Sequence, residues 1–219
     1  MFVGHYSVSF LAKSLEKSIP LWVLFLAVQL VDILWAIFIA LGIEKVRIIP
    51  GFTRSNAIDL YFMPYTHSLP GALGWSVLAV AVFYLLRARK YPRAAVASLL
   101  VGAAVFSHWI LDLIVHIPDL PLYDNSHKVG LGLWNYPEIA LPLEFLFLFG
   151  GLWLYMRSSV ADTAIGRYGA LLFAIALAGI QLYLFFAPSP PTPDAFALTA
   201  IASYFIFAGV AFWLERYRR

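Results

Sequence analysis

Six apolar runs divide the chain, at roughly 20–43, 70–86, 94–116, 139–156, 168–187 and 196–214. A helix needs about 20 apolar residues to cross a bilayer, so the pattern predicts an all-α, polytopic transmembrane helical bundle of about six spans. Ahead of the first run, residues 5–17 (HYSVSFLAKSLEK) read as a short N-terminal helix that turns back near Ser18 and Pro20 to run along the first span. The alternative for this piece is an amphipathic helix lying on the membrane surface with His5 among the headgroups. Two connections, 44–69 and 117–138, are longer than a bundle requires and mix polar groups with aromatics. Such loops either carry function or are passive linkers.

Composition agrees with this pattern. Of 219 residues, 62% are hydrophobic and 12% charged, against about 25% charged in an ordinary soluble domain. One bundle consumes nearly the whole length, so 1–219 is expected to form a single integral membrane domain. None of the six runs contains Lys or Arg; the stretch RARKYPR between the second and third is assigned to the cytoplasm by the positive-inside rule. Arg157, Arg167, Arg216, Arg218 and Arg219 then fall inside, and the 117–138 loop and APSPPTPD outside, while Lys45, Arg47 and Arg54 in 44–69 run against the bias. The expected location is a bacterial inner membrane. The 20–43 run is too long for the core of a cleaved signal, so the N-terminus is expected to be retained. A net charge of +3 with cations at span ends gives no nucleic-acid footprint. The absence of cysteine excludes disulfides, thiolate metal sites and a cysteine nucleophile. No G-x-S-x-G, P-loop or Rossmann glycine pattern occurs.

The picture changes at the polar residues inside the runs: Asp32, His108, Asp112, His116 and Glu144, with Gln29 and Gln181. Each carboxylate at the bilayer centre costs on the order of 2.5–3.5 kcal/mol, so three together cost about 8–10 kcal/mol. With no Lys or Arg in the runs, the partners left are histidine, a metal ion, a shared proton or a water-filled cavity. His108 and Asp112 lie four apart on one helical face, with His116 a further turn along. An imidazole and a carboxylate so placed can chelate a metal, or can be a hydrogen-bonded packing motif; a catalytic zinc takes three such ligands plus water. Counted from the turn near Ser18, His5 and Asp32 are each about 20 Å along their helices and would meet near mid-membrane. His108 and Glu144 overlap that depth in the outer half, and His67 in YTHSLPG sits at the outer end of the second span. His127 and Asp124 read as ordinary loop residues, and Asp119 lies just beyond His116.

Gly4-His5, Asp32, Thr66-His67-Ser68 and Ser107-His108 with Asp112, spread over about the first 116 residues, resemble the YdjM-like inner-membrane proteins, described as membrane-bound metal-dependent hydrolases. The resemblance implies hydrolysis without naming a substrate. This chain departs from the family in two places. It has VDIL where the family tends to a paired acidic motif, which weighs against a second metal ion, and FMPYTHS where the family carries an Arg, which removes a cation for an anionic substrate.

The leading expectation is therefore a membrane-embedded hydrolase acting on a lipid, lipid-linked or otherwise amphipathic phosphoester or acyl substrate. His5, His67, His108 and Asp112 are the candidate metal ligands for a divalent ion, zinc by preference. Asp32 or Glu144 is the candidate general base, and His116, Asp119 and Ser68 are candidates for the surrounding shell. A transporter or proton relay built from the same Asp and His residues is the alternative, and it requires a titratable chain reaching both faces. A scaffold whose polar groups merely bond helices is a third reading, at about 0.6 kcal/mol per bond.

Overall fold

The computed structural model describes residues 1–87 and 93–218. Most of the RARKYPR stretch and Arg219 lie outside the described residues. After a 3₁₀ turn (Val3–His5) come α1 (Tyr6–Leu15), α2 (Leu21–Val28), α3 (Leu30–Ala40), α4 (Leu69–Arg87), α5 (Ala94–Val115), α6 (Pro137–Ser158), α7 (Ala164–Phe186) and α8 (Pro193–Glu215). The protein is an all-α helical bundle. The last five helices are each long and apolar enough to cross a membrane, and α2 with α3 makes a sixth span only as a broken one. The exposed positions on α4 and α7 include Leu85 at 78% and Phe186 at 76% relative exposure, apolar surface that suits the hydrocarbon of a bilayer and marks an integral membrane protein.

The first predicted span is corrected from one helix to two. α2 and α3 meet at Gln29 with a bend of 54°, and Gln29 itself leaves helical geometry at φ −107, ψ 5. Neither Pro nor Gly causes this. Instead Nδ1–H of His108 donates to the Val28 carbonyl at 2.7 Å, the acceptor that an unbroken helix would offer to the N–H of Asp32. A side chain inserted into the i→i−4 ladder is a recognised source of kinks. The break starts a new helix whose first turn carries Asp32.

The N-terminal helix is inside the bundle rather than on its surface. Tyr6, Ser9, Phe10 and Ala12 are buried, and α1 packs between α2 and α6. Gly151 of α6 permits the approach: a Cβ there would stand 2.4 Å from the Ser7 carbonyl oxygen. Pro20, extended at φ −60, ψ 135, opens α2 after the expected turn. In that turn the Ser18 hydroxyl and N–H hold the Glu16 carboxyl below its ordinary value. The Lys13 ammonium donates to the carbonyls of Lys17 and Ile19 at 2.7 and 2.8 Å and pairs with Glu215. Arg218 bonds the Ser159 hydroxyl and the carbonyls of Met156, Ser159 and Gly166. At the end of the bundle opposite the hairpins, Lys13 thus ties the α1–α2 turn to α8, and Arg218 ties the C-terminal tail to α6 and α7. A core of Phe10, Leu24, Phe25, Leu148 and Leu152 lies above them.

The two long connections hold structure that apolar periodicity could not reveal. β1 (Lys45–Ile48) pairs antiparallel with β2 (Ile58–Phe62), and β3 (Leu120–Tyr123) with β4 (Ser126–Val129). Strands of four or five residues give too short an alternation to be read against a bundle background. The hairpins are joined to each other. Lys128 Nζ and Asn125 Nδ2 donate to the Tyr61 carbonyl at 2.8 and 3.1 Å, with burial pulling the Lys128 amine below its ordinary value. Beneath them Trp35, Ile39, Val46, Leu60, Met63 and Leu120 form a second apolar core.

Candidate metal centre

Four elements deliver the predicted residues to one place under the hairpins. The 3₁₀ turn brings His5, the first turn of α3 brings Asp32, the segment before α4 brings His67, α5 brings His108 and Asp112, and the residue that ends α5 is His116. His108 and Asp112, one turn apart, approach at 3.0 Å between Nε2 and Oδ2. His5 Nε2 lies 3.2 Å from Asp112 Oδ1. His67 Nε2 and His108 Nε2 lie 3.3 and 3.4 Å from Asp32 Oδ1. His116 Nε2 stands 3.5 Å, and His67 Nε2 3.8 Å, from Asp112 Oδ2. The rings of His5 and His108 stack with centroids 4.0 Å apart. The amino group of Met1 also touches Asp112 Oδ1. The side chains of His5, His67, His108, Asp112 and His116 are 0–4% exposed, whereas that of Asp32 is 22% exposed, so the cluster opens outward on its Asp32 side.

The far sides of the rings decide the chemistry of the near sides. His108 donates Nδ1–H to the Val28 carbonyl. His116 Nδ1 meets the Asp119 carboxylate at 2.8 Å, and its ring lies over Trp134. For His67 the chain is longer: Glu44 Oε2 accepts the Thr66 hydroxyl proton at 2.6 Å, and Glu44 Oε1 takes the N–H groups of Tyr65 and Thr66. Its proton spent, the Thr66 oxygen accepts Nδ1–H of His67 at 2.9 Å. When these three rings are neutral, the Nε2 of each carries a lone pair aimed at carboxylate oxygens. Acceptor faces acceptor, an arrangement that needs a proton or a cation between them.

Geometry separates those two options. Nε2 of His108 and both ring nitrogens of His5 make no hydrogen bond among the described residues although they are wholly buried; the two Nε2 atoms come within range of the carboxylates but off the line a shared proton needs. Four donors around a tetrahedral zinc at 2.0–2.1 Å stand roughly 3.3 Å from one another. The separations of 3.0–3.8 Å observed here bracket that edge. Two triads, His5/His108/Asp112 and Asp32/His67/His108, each bring ligand atoms within 4.8 Å of one another. Both use His108, whose Nδ1 is engaged and which therefore has one lone pair to give, so they describe positions for one ion rather than two. The buried His/Asp group can hold a metal ion. Outward Nδ1–H bonds to a carbonyl, a carboxylate and a hydroxyl are also the supports that metal-bound histidines characteristically have.

Two expected residues are placed elsewhere. Ser68 is corrected from the metal surroundings to a helix cap: its Oγ accepts from Gly71 N at 3.1 Å at the start of α4. Glu144 does not face the imidazoles as a base; its Oε2 accepts the N–H groups of Phe2 and Gly4 at 2.8 and 3.3 Å. It holds the turn that presents His5. Asp32 instead turns Oδ1 toward His67 and His108, with Oδ2 accepting from the Tyr204 hydroxyl at 2.8 Å. His127 and Asp124 lie in the β3–β4 hairpin with φ of 51 and 50, as loop residues do. Sequence reasoning missed Glu44, 1% exposed, because it adjoins Lys45 at the edge of a loop and its partner is 22 residues away. It missed Tyr204 because a single tyrosine on an apolar helix, one of twelve in the chain, carries no pattern. Comparison with family models, curated proteins and solved structures returned no match.

Proposed function

We propose that the protein is a membrane-embedded, metal-dependent hydrolase of the kind its resemblance to the YdjM-like proteins implies, acting on a membrane amphiphile with a phosphoester or acyl bond. One observation carries the reading: buried imidazole lone pairs and two carboxylates converge at zinc-like spacing without the hydrogen bonds a proton would make. His5, His67, His108 and Asp112 would hold a divalent ion, zinc by the N and O donor set. Such an ion, when bound, lowers the pKa of its water and polarises the oxygen of the bond to be cleaved.

The chain's own residues would do the rest. Asp32, the least buried carboxylate of the cluster, takes the proton of the attacking water and is oriented by Tyr204. Glu44 and Thr66 fix the tautomer of His67, Asp119 fixes His116, and Glu144 fixes the turn bearing His5. The relay alternative requires continuity to the opposite end. Instead the apolar layer of Phe10, Leu24, Phe25, Leu148 and Leu152 intervenes between His5 and Lys13, eight residues or about 12 Å along the chain.

The test is a hydrolysis screen of phospholipids and lipid-linked phosphates with protein in detergent, with a chelator arm and a zinc add-back arm, and with Asp32→Asn. Expected is an activity that the chelator abolishes and zinc restores, and that Asp32→Asn lowers by 10²-fold or more while retaining its metal. Hydrolysis indifferent to chelator, or unchanged in Asp32→Asn, overturns the assignment.

A further inference from the structure

Between α3 and α4 runs a furrow of about 510 Å³, lined by Phe38, Ile43, Tyr65, Gly71, Trp75 and Leu78 among others. We propose that it holds one acyl chain of a phospholipid, with the headgroup end directed toward the His/Asp centre. The size falls within the roughly 300–1,000 Å³ typical of small-molecule sites. Its lining is almost wholly apolar, and it opens on the lipid-facing side of two membrane helices. Leu73, Val77 and Leu78 of α4 are 45–67% exposed. What surrounds such a surface in a bilayer is hydrocarbon.

Three features separate the furrow from an ordinary gap between spans. Its floor is bare backbone: a Cβ on Gly74 would meet nothing within 4 Å. Its wall is fixed, since Trp75 Nε1 donates to the Tyr65 carbonyl at 2.9 Å and Phe38 packs edge-on against both Tyr65 and Trp75 with centroids 6.4 Å away. Its upper end is Tyr65, two residues or at most about 7 Å of chain from the candidate ligand His67. Lys45, exposed and two residues beyond Ile43, follows Glu44, whose carboxylate accepts the Tyr65 N–H, so the chain carries a cation for a phosphate headgroup within one residue of a contact to that end. The proposal names the substrate class for the hydrolase reading and rests on that reading only for what becomes of the headgroup; occupancy of the furrow is measured without turnover.

The experiment uses the full chain in nanodiscs of phosphatidylcholine and phosphatidylglycerol, doped with a phosphatidylcholine bearing a diazirine midway along one acyl chain. After irradiation, labelled residues are mapped by mass spectrometry. Labelling of Phe38, Ile43 and 71–78 is expected to exceed severalfold that of Leu184 and Phe186 of α7, which are equally apolar and exposed. Gly74→Phe, whose ring enters the furrow from open space, is expected to bring it down to the α7 level with metal content and thermal unfolding unchanged. Leu78→Trp, at a position 50% exposed, narrows the furrow independently should Gly74→Phe fail to fold. Uniform labelling of α3–α4 and α7, labelling unaffected by both variants, or labelling by a photoactivatable polyprenyl phosphate but not by the phospholipid, overturns the proposal. Loss of the hydrolase reading would leave this labelling intact, and failure of the labelling would leave metal binding intact.

Discussion

Thr66→Val isolates the support of one ligand. Val keeps the shape of Thr and removes only the hydroxyl that stands between Glu44 and His67. His67 then loses the acceptor that directs its Nε2 lone pair inward, and Glu44 keeps the two backbone N–H groups at 2.8 and 2.9 Å. Loss of an outer partner of a ligating histidine typically costs 10–100-fold in metal affinity, about 1.4–2.8 kcal/mol. The metal-free protein also loses two buried hydrogen bonds, the one Thr66 donates to Glu44 and the one it accepts from His67, at about 1–3 kcal/mol each. The assay is a pair of measurements in detergent: zinc affinity by competition with a fluorescent chelator, and thermal unfolding with and without zinc. Metal bound only to the folded state stabilises by RT ln(1 + [L]/Kd), so a tenfold weaker site narrows the gap between the two melts by about 1.4 kcal/mol. Equal zinc affinity in wild type and Thr66→Val, or the same loss of stability with and without metal, would refute the tautomer argument and reduce Thr66 to a packing hydrogen bond.

Other predictions follow from the supports of the fold. Glu144→Ala leaves the N–H groups of Phe2 and Gly4 without their acceptor and should lower stability by about 2 kcal/mol, read as a fall in unfolding temperature, with weaker metal binding through His5. Gly151→Ala drives a methyl into the Ser7 backbone and should cost at least about 1–3 kcal/mol; an unchanged melt would mean that α1 and α6 are not so close. Lys13→Met strands Glu215 and two carbonyls and should destabilise by about 3 kcal/mol, whereas adding Glu215→Leu should recover part of the loss, checked by a double-mutant cycle of unfolding free energies.

Much of the bundle was legible because apolar length alone identifies a span: the five long helices begin and end within four residues of the predicted runs. The broken first span was not legible, because its cause is His108, 80 residues away, and nothing in 20–43 itself disfavours a helix. The hairpins escaped for the same kind of reason, since Lys45–Ile48 and Leu120–Tyr123 are held by their partner strands, and the hairpins by Lys128 on Tyr61, rather than by a long local pattern. At the centre, the expense of unpaired Asp and His in apolar runs pointed to residues that the fold does bring together, from His5 to His116. The positions of Ser68 and Glu144 could not be inferred from depth. Depth along a helix says nothing about which backbone N–H groups a carboxylate or hydroxyl will find, and both residues end on backbone.

The central claim is that the buried His/Asp group is a metal centre. It is tested most directly by the metal content of protein purified in detergent without an affinity-tag metal, by inductively coupled plasma mass spectrometry of wild type beside His108→Ala and Asp112→Ala. One divalent ion per chain, zinc by the donor set, present in wild type and lost in both variants, is the predicted result. A metal-free wild type that takes up no zinc when it is added back would contradict the account and turn attention to a proton carried by the same residues.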